Sequence, residues 1–190
     1  ANRDHNANAM RQLLALLAGF VFLPLALAVP FFEAVRTTSF LNAYVEMLSA
    51  MTTTGATLFD PARLSGPEHL WRAQVGWLGG MLMWIAASAI LAPLTLGGFE
   101  VTASGEPGQS LAHGVAGSAE ASPRQRLERS IEVLVPTYVG LTLALTVCLL
   151  MAGDPPLVAL SHAMSVLATS GISPIGGTVG APSGIWGELV

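Results

Sequence analysis

The sequence predicts an all-α membrane protein in which one unit recurs: a membrane helix, a short re-entrant helix, a glycine-containing loop and a second membrane helix. Three observations predict it. The 190-residue chain is 52% hydrophobic and only 11% charged, whereas a soluble domain carries about 25% charged residues. Three uncharged apolar runs stand out, Leu13–Phe32, Ala73–Phe99 and Val133–Gly153. Between them lie two related hydroxyl-rich tracts, "SAMTTTGATLFDP" at 49–61 and "SVLATSGISPIGG" at 165–177.

Each apolar run reaches the roughly 20 residues that a helix needs to cross a hydrocarbon core. Lipid offers no partner to backbone N–H and C=O groups, so a single spanning segment must be helical. The runs predict membrane helices at 9–35, 71–98 and 131–152. Pro24, Pro30 and Pro93 are expected to kink them. The first run is longer than the apolar core of a secretory signal, and the "EAVRTTSF" after it lacks a small-x-small cleavage pattern.

After the first span, "SFLNAYVEMLSAM" is helical in character, with Leu41, Tyr44, Val45, Leu48 and Met51 at helical spacing. It is too short and too polar to span. A half-length helix at 39–52, capped by Ser39, that dips into the membrane and returns through a loop at 52–57 satisfies both facts. Residues 100–130 are rich in Gly, Ser and Ala and lack an apolar period. They read as a connector that becomes a basic helix start at Arg124–Arg129. The third span is followed by a second short helix at 155–168, with Asp154-Pro155 as cap and first-turn proline, and by a loop at 168–173.

A shift of 116 residues superimposes the two tracts. Ser49 meets Ser165, Thr53 meets Thr169, Thr54 meets Ser170, Gly55 meets Gly171 and Thr57 meets Ser173. The expected organisation is therefore a first repeat at 1–99, a connector at 100–130 and an incomplete second repeat at 131–190. "GIWGELV" stands where the closing helix of the second repeat is expected to begin. Arg3, Arg11, Arg124, Arg126 and Arg129 flank one side of the spans, against Arg36, Arg63 and Arg72 on the other. The excess places the N-terminus and residues 100–130 in the cytoplasm and opens the two loops to the outside.

The loops carry a specific chemistry. A helix C-terminus bears partial negative charge, and extended residues after it can present carbonyl oxygens that replace the water shell of an alkali cation. Glycine allows dihedrals that other residues resist. Oxygen-only ligation suits hard cations. The plainer alternative is a helix cap in which Thr54 closes the helix and Gly55 takes the left-handed position.

These residues resemble the superfamily of Trk, Ktr and HKT potassium transporters, and within it a TrkH-type membrane subunit. "SAMTTTGATLFDP" is similar to the first selectivity filter of that family, "WRAQVGWLGGMLMWIAASAILAPLTLGG" at 71–98 to the helix after it, and "SHAMSVLATSGISPIGG" at 161–177 to the second filter. The resemblance implies a potassium-channel-like fold of four repeats, of which the chain covers about one and a half. It implies potassium uptake through filters whose ligands are mainly backbone carbonyls. By position these are Thr53, Thr54, Gly55, Ala56 and Thr57 in the first loop, and Thr169, Ser170, Gly171, Ile172 and Ser173 in the second. It further implies a homodimer, a cytosolic nucleotide-binding regulatory subunit and a multi-pass location in a cell membrane, the bacterial inner membrane. No cofactor is implied besides the transported potassium ion.

Other classes find little support. No basic tract points to nucleic acid, and the net charge is −4. Cys148 is alone in an apolar run, and His5, His69 and His113 lack the spacing of a transition-metal site. No nucleophile–base pair suggests an enzyme. Glu46 and His162 occupy equivalent positions in the short helices, where they either tune ion access or face outward to loops and headgroups. Asp60 and Glu68 either raise the local cation concentration or sit in a plain solvated loop. Trp71, Trp77, Trp84 and Trp186 are expected to include interfacial anchors. The competing reading of the whole chain is a non-conducting membrane scaffold or a truncated, non-functional fragment.

Overall fold

The computed structural model describes residues 2–88, 123–177, 181–184 and 187. It is helical: α1 (Asn2–Val35), α2 (Phe40–Met51), a 3-10 turn (Pro61–Arg63), α3 (Gly66–Ala86), α4 (Pro123–Met151) and α5 (Pro156–Ala168). Two stretches are long and apolar enough to cross a membrane, Met10–Val35 and Leu127–Met151, and only 11% and 17% of them are buried. A soluble core helix would be mostly covered; these expose Leu14, Leu17, Phe22, Val133, Leu143 and Val147.

The short helices start and stop close to where the sequence places them. Ser39 accepts from Asn42 N (3.3 Å) and opens α2. For α5 the expected cap moves by one residue. Pro155 is the cap and Pro156 the first-turn proline, because the Asp154 carboxylate turns away to accept from Ser183 N (2.9 Å). The longer helices overrun their expected bounds. α1 begins at Asn2, well before residue 9, and α4 begins at Pro123, so the last eight residues of the expected 100–130 connector are already helical. α3 starts at Gly66 rather than 71 because Glu68 accepts from Ser65 N (2.6 Å) and Pro67 fits the first turn. Residues 89–98 of the expected third helix, Pro93 and most of the connector lie outside the described residues.

The apolar stripe that betrays α2 as a helix coincides only in part with its buried face. Leu41 is 67% exposed, and Val45 is exposed too. The inward face is Ala43, Glu46, Met47, Ala50 and Met51. Inside a membrane protein the large apolar side chains can face lipid or further protein, while small and paired polar ones pack between helices. Met47 and Ala50 join Ala28 and Phe31 of α1, Phe59, Val75 of α3 and Ile172 in one core.

α3 is the element against which both short helices rest. A Cβ on Gly79 would strike the backbone of Met51, at the end of α2. On Gly80 it would strike Ala168, at the end of α5, and on Gly76 the side chains of Ile172 and Ser170. Two of the four tryptophans clasp helices together. Trp71 Nε1 donates to the Leu27 carbonyl (3.2 Å) and Trp77 Nε1 to Thr142 Oγ1 (2.9 Å). Trp84 is exposed, and the side chain of Trp186 lies outside the described residues.

Backbone cannot give way as a side chain can, so Gly79→Val is expected to cost roughly 3 kcal/mol or more. A lowered unfolding midpoint of the detergent-solubilised protein, beside a near-neutral Gly140→Ala control whose Cβ meets nothing within 4 Å, is the measurement.

Candidate functional site

Neither tract continues as helix. Thr53 N bonds the Ala50 carbonyl (3.0 Å) and Thr54 N the Ser49 carbonyl (2.9 Å). Thr169 N bonds Val166 (3.1 Å) and Ser170 N bonds Ser165 (2.9 Å) in the same way. This pair of bonds is the Schellman closure of a helix, which needs a left-handed residue. Here that residue is a threonine in both tracts, Thr53 and Thr169, each at φ 53°. The sequence suggests Gly55 for this role, but the helix closes two residues earlier. Gly55 (φ 72°) and Gly171 (φ 67°) are a second left-handed position within each loop.

The loops also end alike. Thr57 Oγ1 accepts from Phe59 N (3.1 Å), and Ser173 Oγ accepts from Ile175 N (3.2 Å). Between these fixed points, no hydrogen bond among the described residues reaches the carbonyls of Thr53, Thr54, Gly55, Thr169, Ser170, Gly171 or Ile172. Ala56 differs: its carbonyl accepts from Ser49 Oγ (2.6 Å), so this oxygen is turned toward α2. Ile172 is buried in the core beside α2 and α3, while the Thr169 side chain is exposed. The two loops lie against each other, since a Cβ on Gly55 would run into the Ser170 carbonyl.

Behind the first loop is a buried ion pair. Glu46 Oε1 lies 2.6 Å from Arg72 Nη2, with the side chains 2% and 3% exposed. Glu46 Oε2 accepts from Leu58 N (2.9 Å), one residue past the expected ligands. Glu46 is thus neither outward-facing nor a free charge, and Arg72 lies in α3 with its side chain buried. Its equivalent, His162, is also buried and bonds Ser173 Oγ (2.9 Å). Ser173 Oγ also lies 3.3 Å from the Gly177 carbonyl. The remaining loop charges are spent locally: Asp60 accepts from Ala62 N (2.9 Å), and Glu68 caps α3. His69 Nε2 donates to the Pro61 carbonyl (3.0 Å). No cluster of metal-binding side chains occurs among the described residues.

Three contributions to the site are not evident from the sequence. The Glu46–Arg72 pair was signalled by a carboxylate and a guanidinium in otherwise apolar helices. The glycines of "WLGGM" were visible, but not what they approach. The Ser49 hydroxyl, a mid-helix serine, gave no signal of its own.

Fold and site together define a helical membrane protein whose short helices end in paired loops with unengaged carbonyls. No protein-family model matches the chain. It is 32% identical over 168 residues to the Trk system potassium uptake protein TrkI of Halomonas elongata, covering 87% of this chain and 30% of that protein. It is 32% identical to TrkH of Vibrio parahaemolyticus (70% of this chain, 26% of the relative) and 30% identical to TrkG of Escherichia coli (80% and 30%). The chain is homologous to a segment of the Trk system potassium uptake proteins, and it spans less than a third of the length of these relatives. They are named for ion uptake, not for a catalysed reaction.

A β-branched residue at positive φ is strained. Thr53→Gly and Thr169→Gly are each expected to stabilise the fold by about 1 kcal/mol, read as a raised thermal midpoint in detergent.

Proposed function

We propose that the chain is part of a potassium-conducting Trk-type membrane subunit in which the two loops form half of the ion-selective passage. The observation that carries this reading is the pair of loops themselves. Two helices end beside each other, and three carbonyls of the first loop and four of the second have no hydrogen-bond partner among the described residues. A carbonyl left unengaged in a water-poor setting is costly unless a ligand or water meets it. A dehydrated alkali cation is such a ligand, and the negative ends of the α2 and α5 dipoles favour it. On this reading Thr53, Thr54, Gly55, Thr169, Ser170, Gly171 and Ile172 ligate by backbone oxygens. Ala56, Thr57 and Ser173 hold the loop shape.

α1–α2–α3 and α4–α5 are then two copies of one unit, with α2 and α5 re-entrant. The arginine excess supports a cytoplasmic N-terminus and connector, with the loops open to the outside of a bacterial inner membrane. A homodimer and a nucleotide-binding regulatory subunit follow from the family resemblance.

Potassium-dependent growth and rubidium influx of cells expressing the complete reading frame test the reading. Gly55→Ala adds both a strained dihedral and a clash with Ser170, whereas at Gly171 a Cβ meets nothing within 4 Å. Gly55→Ala is therefore expected to lower selective influx at least tenfold, a barrier change of about 1.4 kcal/mol, and Gly171→Ala to lower it less. Unaltered influx and selectivity in both variants contradict the assignment.

A further inference from the structure

We infer that the buried Glu46–Arg72 pair is a positioning device that sets the ion preference of the first loop, by tying the loop's downstream end to α3. The inference rests on the ion-conducting reading above. A passage lined by carbonyls distinguishes ions by where its oxygens sit, so whatever fixes the loop at both ends fixes its preference. The upstream end is fixed by the helix closure at Thr53 and Thr54. The downstream end is tied to the helices behind it by Ser49 Oγ on the Ala56 carbonyl, by Phe59 packed on Phe31, and by the bond from Leu58 N to Glu46 Oε2. Of these only the last is ionic, since Glu46 is held in turn by Arg72.

Three observations separate this role from simple stabilisation. First, burying two charges costs several kcal/mol per ion, and a buried pair is often no more stabilising than an apolar pair of the same volume. Second, Arg72 is poorly satisfied as a structural donor: Nε and Nη1 are buried with no hydrogen-bond partner among the described residues, so Glu46 is its anchor. Third, the second loop is held differently. There His162, at the position equivalent to Glu46, bonds Ser173 Oγ without an ion pair among the described residues. A half-helix and loop of this shape therefore does not require a charge pair, and the pair belongs to what the first loop does. The two loops are held by unlike ties, one ionic and one through an imidazole, so their carbonyls need not be equivalent toward the ion.

The test is the ratio of rubidium to sodium influx in cells expressing the complete reading frame, for Glu46→Gln, Glu46→Asp, Arg72→Gln and Arg72→Lys. Glu46→Asp keeps the charge but shortens the arm, so one carboxylate can no longer reach both Leu58 N and Arg72. Loss of a charge-assisted hydrogen bond is expected to lower the ratio about tenfold in Glu46→Gln, Glu46→Asp and Arg72→Gln, with partial recovery in Arg72→Lys. The ratio does not depend on how much protein reaches the membrane, so reduced accumulation does not mask it. A wild-type ratio in the first three variants overturns the inference, whatever their abundance. Gly55→Ala is measured alongside. If it loses selectivity while the Glu46 and Arg72 variants keep it, the inference fails and the ion-conducting reading stands. If the unaltered protein supports no rubidium influx, both fall.

Discussion

A helix that ends inside a membrane protein leaves its last carbonyls without water, and they must find other partners. That constraint organises this molecule. α2 and α5 both stop short of a span, and both close with a threonine in the left-handed region. The closure satisfies the carbonyls of Ser49, Ala50, Ser165 and Val166, while those of the following loop residues, Ala56 apart, have no hydrogen-bond partner among the described residues. The strain at Thr53 and Thr169 accompanies a sharp helix end at a defined place, which a gradually fraying helix would not supply.

Two such ends can lie side by side only if something lets them approach. The glycine face of α3 does so. Gly79 meets the end of α2, Gly80 the end of α5, and Gly76 the side chains of the second loop. A single helix thereby brings segments more than 100 residues apart in the sequence into one site. Ile172 works in the same direction from the other side, inserting from the second loop into the core formed by α1, α2 and α3. Hydrogen bonds from Trp71 to α1 and from Trp77 to α4 hold α3 in place between its neighbours. The two halves of the chain are consequently not independent: displacing α3 moves both loops.

The charged residues follow a similar economy. Among the described residues, polar side chains near the loops are engaged locally: Asp60 and Glu68 as caps, His69 on the Pro61 carbonyl, Glu46 on Leu58 N and His162 on the Ser173 hydroxyl. Among the described residues, seven carbonyls of the two loops are left without a hydrogen-bond partner.

The sequence by itself determined the order of the helices and the extent of the two short ones. The bounds 39–52 and 155–168 lie within a residue of Phe40–Met51 and Pro156–Ala168, because the residues that stop a helix are local signals, although the left-handed residue is Thr53 rather than Gly55 and the α5 cap is Pro155 rather than Asp154. The 116-residue correspondence was legible for the same reason. Tertiary structure alone decided which face of α2 turns inward, that Arg72 enters the interior to meet Glu46, that Trp71 and Trp77 clasp helices, and that Asp154 leaves its helix for Ser183. These could not be read from the chain, because in a membrane protein apolar residues suit both the lipid and the core. Hydrophobic pattern then loses its power to tell inside from outside, and polar residues reveal their place only when the partner that satisfies them has been brought near.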